Sequence, residues 1–569
     1  MAAVRIAVIL LFGVAATRAD DSKPAKPAKP SPQERHPVRE IAPVVAAIDR
    51  AIDRRLADAR VPASPAAEDS ELLRRASLDL AGRIPTWERA AAFLDNRDPD
   101  KRRKLVEDLL AAPEFGAHLA DLWRPLLAPR DPANSKPQVD RFSPWLAVEF
   151  NRNRGWDKIA SDLLGFAGDV KDRPASTFLM THGENFQPKP DLLAAAAGKA
   201  FLGVQLQCAE CHDHPFAPWK QADFWGVAAF FGKVRNTGIK GPPYVLTEDA
   251  DPKPLDVKNG GSPRPTSGPG GAITIPGTGG NKGAGEVVAA KVLGGKPLTL
   301  DDAAPFRPTF VEWATGRENP YFARAFVNRA WAQLFGRGLV HAVDNLHADN
   351  PPSHPELLDL LAREFADSEF DVKHLYRCVC NSNAYQRSSR ALPGNEKDAL
   401  LLSKMAVKPI GPEAIFDSIE TVLGENKNAS GGGKAVGNKP AGTKPAGTKP
   451  AAGKPAAPAV SPRDEFVNFF RGQGGAEPGE FAHGIPQFLR RMNGAQFNAG
   501  APMIERLVKE QAKADQAVET LFLATLTRRP TAEERALMAK YVAGRATPEE
   551  GYAGVLWVLL NTGEFVLNR

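Results

Sequence analysis

The chain has 569 residues, a length for roughly two to four domains of ordinary size with large buried cores. Apolar residues make up 43% and charged residues 25%, which is typical of a soluble globular protein and excludes a wholly disordered chain, a collagen and a multi-span membrane protein. The chain also contains 49 Gly, 50 Pro and a formal net charge of +6, while its four Cys are too few for a disulfide scaffold.

Residues 1–19 have the pattern of a secretory signal peptide. Arg5 forms a short basic region, residues 6–16 are apolar but too short to span a bilayer, and residues 17–19 offer a small-x-small cleavage site. The sequence therefore predicts a periplasmic or secreted protein with no transmembrane anchor after cleavage. An uncleaved anchor is the alternative.

Three segments have compositions that cannot build a packed core: residues 20–35, 236–297 and 424–463. The first is rich in Lys and Pro, the second in Gly and Pro, and the third repeats Lys-Pro-Ala-Gly. The third segment carries a net charge of +6, which equals that of the whole chain. The net positive charge of the chain therefore comes from this linker. Nucleic-acid binding is not expected.

Between these segments, apolar residues recur mostly at helical spacing, as in residues 41–56, and a helix is expected over residues 191–206. Alternating patterns are scarce and are clearest at residues 244–246 and 273–275. Helix starts are predicted at Thr86, Ser143-Pro144, Asn319-Pro320, the capping box at Ser353 and the capping box at Thr531. The predicted class is mainly α, with two helical domains and a small β-containing, Gly/Pro-rich middle insert.

The predicted organisation follows chain order from the signal peptide to the last helical part. It consists of a signal peptide (1–19), a tether (20–35), a helical domain (36–235), the insert (236–297), the first part of a second helical domain (298–423), a low-complexity linker (424–463) and the last part of that domain (464–569).

Cys208, Cys211 and His212 form a C-x-x-C-H motif, the attachment signature of c-type haem. Two thiols at this spacing reach the two vinyl groups of one porphyrin, and the adjacent imidazole then lies beneath the iron as its proximal ligand. An exported protein also suits this chemistry, because c-type haem is attached outside the cytoplasm. Covalent haem is the interpretation that the motif favours.

Two alternatives remain open for the same motif. With His214, the motif offers four possible ligands for a zinc ion or a structural metal knuckle, although they lie within seven residues. A dithiol or disulfide is the other alternative, but that use of C-x-x-C usually opens a helix after a strand.

The second axial position of a haem iron is undecided by the sequence. Met180, His182 and His214 are candidates for this distal ligand, and a vacant position would indicate a catalyst instead of an electron carrier. For His214 a supporting hydrogen bond is the preferred role. The aromatic residues near the motif could wall a porphyrin, but most are expected to form ordinary core: Phe201, Phe216, Trp219, Phe224, Trp225, Phe230 and Phe231.

Two further groups of residues are given structural interpretations. Cys378 and Cys380 point away from each other at their spacing, so two buried thiols are expected in place of a disulfide. A His/Asp-rich stretch could hold a metal, but a polar loop and a helix cap are preferred for it; its members are His341, Asp344, His347, Asp349 and His354.

Several segments resemble known families. Residues 201–219, which read FLGVQLQCAECHDHPFAPW, and the segment LLRRASLDLAGRIPT resemble the planctomycete cytochrome-c-like domain of unknown function. NPYFARAFVNRAWAQLFGRGLV, NPPSHPELLDLLAREF and LFLATLTRRPTAEE resemble the planctomycete-specific domain usually fused behind it. The resemblance implies a secreted protein of two fused, largely helical domains. It implies no activity.

The leading functional hypothesis is an exported protein with a single haem c, which transfers electrons or carries out a redox reaction with an unknown redox partner or substrate. The alternative is a non-catalytic binding or scaffold protein of the cell surface, with polysaccharide as its candidate ligand and zinc, a disulfide or no cofactor at the motif. Whether the protein is an enzyme is left open.

Overall fold

We describe the protein from a computed structural model, which covers residues 36, 39–129, 139–184, 186–238, 243–248, 268–275, 285–423, 461–471, 502–510 and 513–569. The predicted signal peptide and tether lie outside the described residues. So do parts of the predicted insert and nearly all of the predicted linker.

Helices dominate the described part of the chain and confirm the mainly α class. They are α1 (Ala42–Ala59), α2 (Asp69–Ala81), α3 (Trp87–Asp95), α4 (Lys101–Ala111), α5 (Pro113–Leu127), α6 (Val139–Asn151), α7 (Trp156–Gly165), α8 (Thr177–Thr181), α9 (Pro190–Ala197), α10 (Gln221–Ala229), α11 (Arg307–Thr315), α12 (Phe322–Phe335), α13 (Pro355–Asp367), α14 (Val372–Cys380), α15 (Asn383–Gln386), α16 (Pro412–Leu423), α17 (Pro462–Arg471), α18 (Pro502–Lys509), α19 (Ala514–Leu526), α20 (Ala532–Ala543) and α21 (Pro548–Leu560). Within the described ranges, no helix combines the length and apolar character needed to cross a membrane.

The strands are short and pair only in small antiparallel sheets. They are β1 (Gly168–Asp169), β2 (Gly183–Glu184), β3 (Gln187–Pro188), β4 (Val234–Asn236), β5 (Val245–Glu248), β6 (Ile273–Thr274), β7 (Val287–Val288), β8 (Lys408–Pro409) and β9 (Leu567–Asn568). One sheet has the order β1-β5-β4, and the others are the pairs β2-β3, β6-β7 and β8-β9. The extended stretches predicted within the insert correspond to β5 and β6.

Local capping chemistry positions several helices as predicted. Thr86 accepts a hydrogen bond from the Arg89 N–H (3.3 Å) at the start of α3. Thr531 and Glu534 form the reciprocal capping box of α20, with bonds of 3.2 and 2.8 Å. These signals are readable because both partners lie within one helical turn.

Three predicted helix starts differ from the observed ones, by five residues for α6, two for α12 and one for α13. Helix α6 begins at Val139, so Pro144 lies inside it and removes one backbone hydrogen bond without ending the helix. Helix α12 begins at Phe322, because the Asn319 side chain closes a turn ahead of it by accepting the N–H of residues 321 and 322 (2.8 and 2.9 Å). Helix α13 has His354 at its N-cap with no side-chain cap bond, so the box predicted at Ser353 does not form.

The helix predicted over residues 191–206 is shorter than expected. Helix α9 passes into a single π-helical turn, Gly198–Leu202, and ends at Gly203. Gly203 has φ +65°, and a Cβ there would lie 2.8 Å from Leu346 Cδ1. A distant loop therefore requires glycine at this bend, which sends the chain into the C-x-x-C-H segment.

The larger hydrophobic core draws residues from both predicted helical domains. Trp123 and Trp156, from the first of these domains, have ring centroids 4.4 Å apart. Trp123 also stacks on Phe326 (5.3 Å), and Phe326 stacks on Phe365 (4.8 Å), both from the second. Such buried aromatic pairs contribute packing area and about 0.5 to 1.5 kcal/mol each beyond it.

A smaller core is built mainly from residues 410–565, on helices α16 to α21. It includes Leu78 of α2 and Ile84, which follows that helix. Because α2 also places Leu72, Leu73 and Leu80 in the larger core, this one helix lies between the two cores.

Helix α2 carries charged residues into the interior. Arg74 is only 1% exposed and donates to the carbonyl groups of Thr525 (3.0 Å) and Phe565 (2.7 Å). Burial lowers the pKa of Arg74 to about 10. A buried guanidinium is tolerated only when its N–H donors are paired. The C-terminal part of the chain supplies the carbonyl acceptors that Arg74 requires.

The neighbouring charges on α2 follow the same rule. Arg75 donates to the carbonyl groups of Tyr385 (2.7 Å) and Arg569 (3.1 Å). Asp79 pairs with Lys408 (2.7 Å) and accepts bonds from the Tyr385 hydroxyl (2.9 Å) and from Asn568 (2.8 Å). The segment LLRRASLDLAGRIPT therefore joins both predicted helical domains through a buried polar network.

Replacing Arg74 by Met should remove this pairing and leave buried carbonyl groups without donors. We expect a loss of about 3 to 5 kcal/mol in the free energy of unfolding, measured by urea denaturation. Hydrogen exchange should also accelerate in residues 564–569. The exposed Arg89, replaced by Met on α3, is the matched control and should change stability little. Equal losses in the two variants would contradict the network.

His354, at the N-cap of α13, should make folding sensitive to acid. The side chain is 2% exposed, and burial together with the nearby Arg55 lowers its pKa to about 4. In the unfolded chain this histidine has its ordinary pKa of about 6.5. Between about pH 4 and about pH 6.5 the unfolded chain therefore binds more protons than the folded protein. The contribution of His354 to stability is therefore complete above about pH 6.5 and is lost as the pH falls toward about 4.

A His354→Asn variant should show a shallower decline in unfolding free energy across this pH window than the parent. His118 and His182, whose pKa values burial also lowers to about 4, should leave part of the decline in place. An unchanged slope in His354→Asn would contradict the assignment.

Candidate haem-attachment loop

The C-x-x-C-H loop is held by its backbone. Cys208 lies in a 3-10 turn, Gln207–Glu210, and the carbonyl group of Glu210 accepts hydrogen bonds from Trp225 Nε1 (2.9 Å) and Gln221 Nε2 (3.0 Å) on α10. The Asp213 carboxylate accepts the Gln221 N–H (2.9 Å). Helix α10 thereby fixes the loop without engaging the side chains of the motif.

The three motif side chains themselves are exposed. Cys208 and Cys211 are free thiols. His212 donates its Nδ1–H to the Asp213 carbonyl group at 2.7 Å. A neutral imidazole in this tautomer keeps its lone pair on Nε2, the nitrogen that metal-bound histidines commonly use when a carbonyl group holds Nδ1.

The next residues divide into buried and exposed aromatics. Phe201, Trp219, Phe224, Trp225, Phe230 and Phe231 are buried, as expected for ordinary core. Phe216 is 85% exposed and is the exception. A large apolar ring on the surface, five residues after Cys211, offers a contact for an apolar ligand held by the loop.

His214 makes local hydrogen bonds within the loop, and its supporting role toward a haem ligand stays a prediction. Its ring Nδ1 accepts the Phe216 N–H (3.1 Å), and the backbone N–H of His214 donates to the Trp219 carbonyl group (2.8 Å). Burial lowers the pKa of His214, and the charges that His347 and His212 carry when protonated lower it further. The charges of both of these histidines, when they are protonated, therefore act on His214.

The other two distal candidates are packed against core residues. Met180 is buried in the larger core. His182 donates Nδ1–H to the Phe178 carbonyl group (2.8 Å), and its ring packs on Phe178 with centroids 4.7 Å apart. Burial lowers the pKa of His182 to about 4, so the ring is neutral at physiological pH.

The structure brings the His/Asp-rich stretch to the segment that precedes the motif. Asp344 is buried, accepts a hydrogen bond from Gln205 (2.6 Å) and pairs with Lys199 (3.2 Å). The Leu346 N–H donates to the Gly203 carbonyl group (2.9 Å). The docking of residues 341–349 on residues 199–205 was not predicted, because more than a hundred residues separate the two stretches.

Cys378 and Cys380 are buried free thiols, as expected. Cys378 Sγ lies 3.6 Å from His374 Nε2, which also lies 2.9 Å from Glu364 Oε1. A catalytic triad needs one ring nitrogen for the nucleophile and the other for the carboxylate, whereas here both contact the same nitrogen. Burial also raises the pKa of Cys378 to about 12, so this thiol stays protonated and unreactive.

Cavities do not define the candidate site. One cavity is lined by residues including Trp331, Arg337 and Lys404, and another by residues including Trp145 and Asp162. Neither contains a residue of the motif. Across the described ranges, no three His, Cys, Asp or Glu side chains are arranged to hold a metal ion. The site is recognised instead by its exposed donor groups.

The fold and this loop define a mainly α protein with a surface C-x-x-C-H motif. Residues 47–236 match the family described as PSCyt2, protein of unknown function (DUF1549). Residues 306–542 match the family described as PSD1, protein of unknown function (DUF1553). The two matches confirm the predicted pairing of two regions of unknown function in one chain. No curated protein and no solved structure matches the chain.

The exposure of the thiols can be tested on haem-free protein. Iodoacetamide should label Cys208 and Cys211 in the native state, and all four Cys only after denaturation. The buried thiols lack both access and thiolate character. Mass spectrometry of peptides identifies the labelled positions. Native labelling of Cys378 at a rate similar to Cys208 would contradict the described burial.

Proposed function

We propose that the protein is an exported c-type haem protein with one covalently bound haem. In this proposal Cys208 and Cys211 form the two thioethers and His212 is the proximal iron ligand. The observation that carries the proposal is the combination of two exposed free thiols with an imidazole whose Nδ1 is already engaged by a carbonyl group.

The residues present fit the chemistry of this group. Thioether formation consumes two accessible thiols, and an axial ligand must present a neutral nitrogen lone pair. The 2.7 Å hydrogen bond from His212 to Asp213 selects the tautomer with its lone pair on Nε2. The exposed ring of Phe216, four residues after His212 in the sequence, adds apolar surface to the loop.

The chain supplies position and surroundings, while a bound haem supplies one-electron chemistry. The hydrogen bonds from Trp225 and Gln221 to Glu210 hold the motif on α10 (2.9 and 3.0 Å). The exposed loop would allow a redox partner to approach closely. The signal-peptide pattern of residues 1–19 supports a periplasmic or secreted location.

The test is to produce the full chain in a host with intact haem-attachment machinery and to record its absorption spectrum. A Soret band that survives acid-acetone extraction is expected. Cys208→Ser and Cys211→Ser should each remove one covalent link, and the double variant should lose all covalent haem. Cys378→Ala is the control and should retain full attachment, because that thiol is buried away from solvent.

Two results would overturn the proposal. Protein without covalent haem but with stoichiometric zinc by elemental analysis would indicate a structural metal site. Protein with neither group would favour a binding or scaffold protein of the cell surface.

A further inference from the structure

A segment between the two matched regions packs against the helix that holds the C-x-x-C-H loop. Residues 237–305 lie outside both family matches. The Gly/Pro-rich composition of this segment predicts no packed core, yet several of its apolar side chains are buried in the larger core: Ile273, Ile275, Val288, Ala290 and Leu293. Strands β6 and β7 pair within it, with Ile273 opposite Val288. The segment is therefore part of the interior as well as a connection.

Lys291, which follows β7, contacts helix α10 at two points. Its ammonium group pairs with Asp223 Oδ1 at 2.6 Å, and its backbone N–H donates to the Gly226 carbonyl group at 3.0 Å. The other Asp223 oxygen accepts the Lys220 N–H (2.9 Å) at the start of the helix. Gly226 permits this approach, since a Cβ there would lie 2.8 Å from Lys291 Cβ. The side chains of Lys291 and Asp223 are 25% and 15% exposed, so water screens the pair only in part.

The C-x-x-C-H loop contacts the opposite face of the same helical turns. Gln221 and Trp225 donate to the Glu210 carbonyl group at 3.0 and 2.9 Å. Consecutive residues of an α-helix are rotated by about 100°, which places Asp223 and Gly226 on average about 150° away from Gln221 and Trp225. The first turns of α10 therefore lie between Lys291 and the loop.

We propose that Lys291 is a positioning residue for the C-x-x-C-H loop and acts through helix α10. The helix is held at Asp223 and Gly226 on one face, and its other face supplies the donors that hold the loop. A loop that presents two thiols and an imidazole to one ligand benefits from a backbone fixed in advance. The relevance of this role to haem rests on the proposed function, whereas the positioning itself does not.

The experiment measures hydrogen exchange in the full chain, produced in haem-free form, by mass spectrometry. Three backbone N–H groups report on the loop through their bonds to Leu206, Trp219 and Asp213: those of Ala209, His214 and Gln221. In Lys291→Met these groups should exchange at least about fivefold faster, because α10 loses its charge-assisted bond to the segment. Lys291→Arg can still pair with Asp223 and should keep rates close to those of the parent.

Gly226→Ala is a second variant, whose local effect has the opposite sign. Alanine is the better helix former, so an effect confined to α10 would slow its exchange. The added Cβ would also push against Lys291 Cβ, so the positioning role predicts faster exchange in the loop. This variant keeps the test decisive if Lys291→Met does not fold. Lys296→Met removes an exposed lysine of the same segment and, as the matched control, should leave the exchange unchanged.

Haem-loaded protein provides a second readout, the reduction potential. A loosened loop admits more water around its ligand, so Lys291→Met should have a lower reduction potential than the parent and than Lys296→Met. An unchanged potential despite faster exchange would overturn the relevance of the positioning to haem.

The outcomes separate this inference from the proposed function. Faster exchange confined to residues 223–226 and 285–291, with the loop unchanged, would overturn the positioning role whatever the haem content. Absence of covalent haem would overturn the proposed function, while faster exchange of the loop would still support the positioning role.

Discussion

Buried guanidinium groups on one helix set the main constraint of this molecule. Arg74 and Arg75 are each 1% exposed, and their donors must be paired inside the protein. Most of the partners are backbone carbonyl groups far along the chain, including that of Phe565, which is 491 residues from Arg74. Arg75 also donates to the nearby Glu71 carboxylate. Helix α2 therefore depends on the C-terminal part of the chain for the acceptors of its buried donors. The regions matching PSCyt2 and PSD1 therefore share one hydrophobic interior.

Local features were predictable from the sequence, and features that depend on distant residues were not. The apolar face of α1 and the capping box of Thr531 each depend only on residues that are close together in the sequence. The bend at Gly203 depends on Leu346, so the pattern over residues 191–206 suggested a longer helix. The burial of Arg74 could not be predicted, because arginine is usually exposed. No residue near Arg74 in the sequence indicated its hydrogen-bond partners.

The candidate site shows the same division. The spacing of Cys208, Cys211 and His212 identified the motif because its chemistry is local. The sequence analysis also named His347, but only as one member of a His/Asp-rich stretch that could bind a separate metal ion. In the structure, residues 341–349 dock on residues 199–205, which precede the motif. The one sequence feature that drew attention to residues 341–349 is their high density of His and Asp residues.

The aromatic contacts in the larger core carry an optical consequence. Trp123 and Trp156 lie 4.4 Å apart, and Trp123 also stacks on Phe326 from the other matched region at 5.3 Å. Indole rings this close couple their electronic transitions and give a strong near-ultraviolet circular dichroism signal. Separation of the two regions would expose these rings to water and shift their fluorescence to longer wavelength. The protein thus contains its own spectroscopic reporter of whether its two halves are assembled.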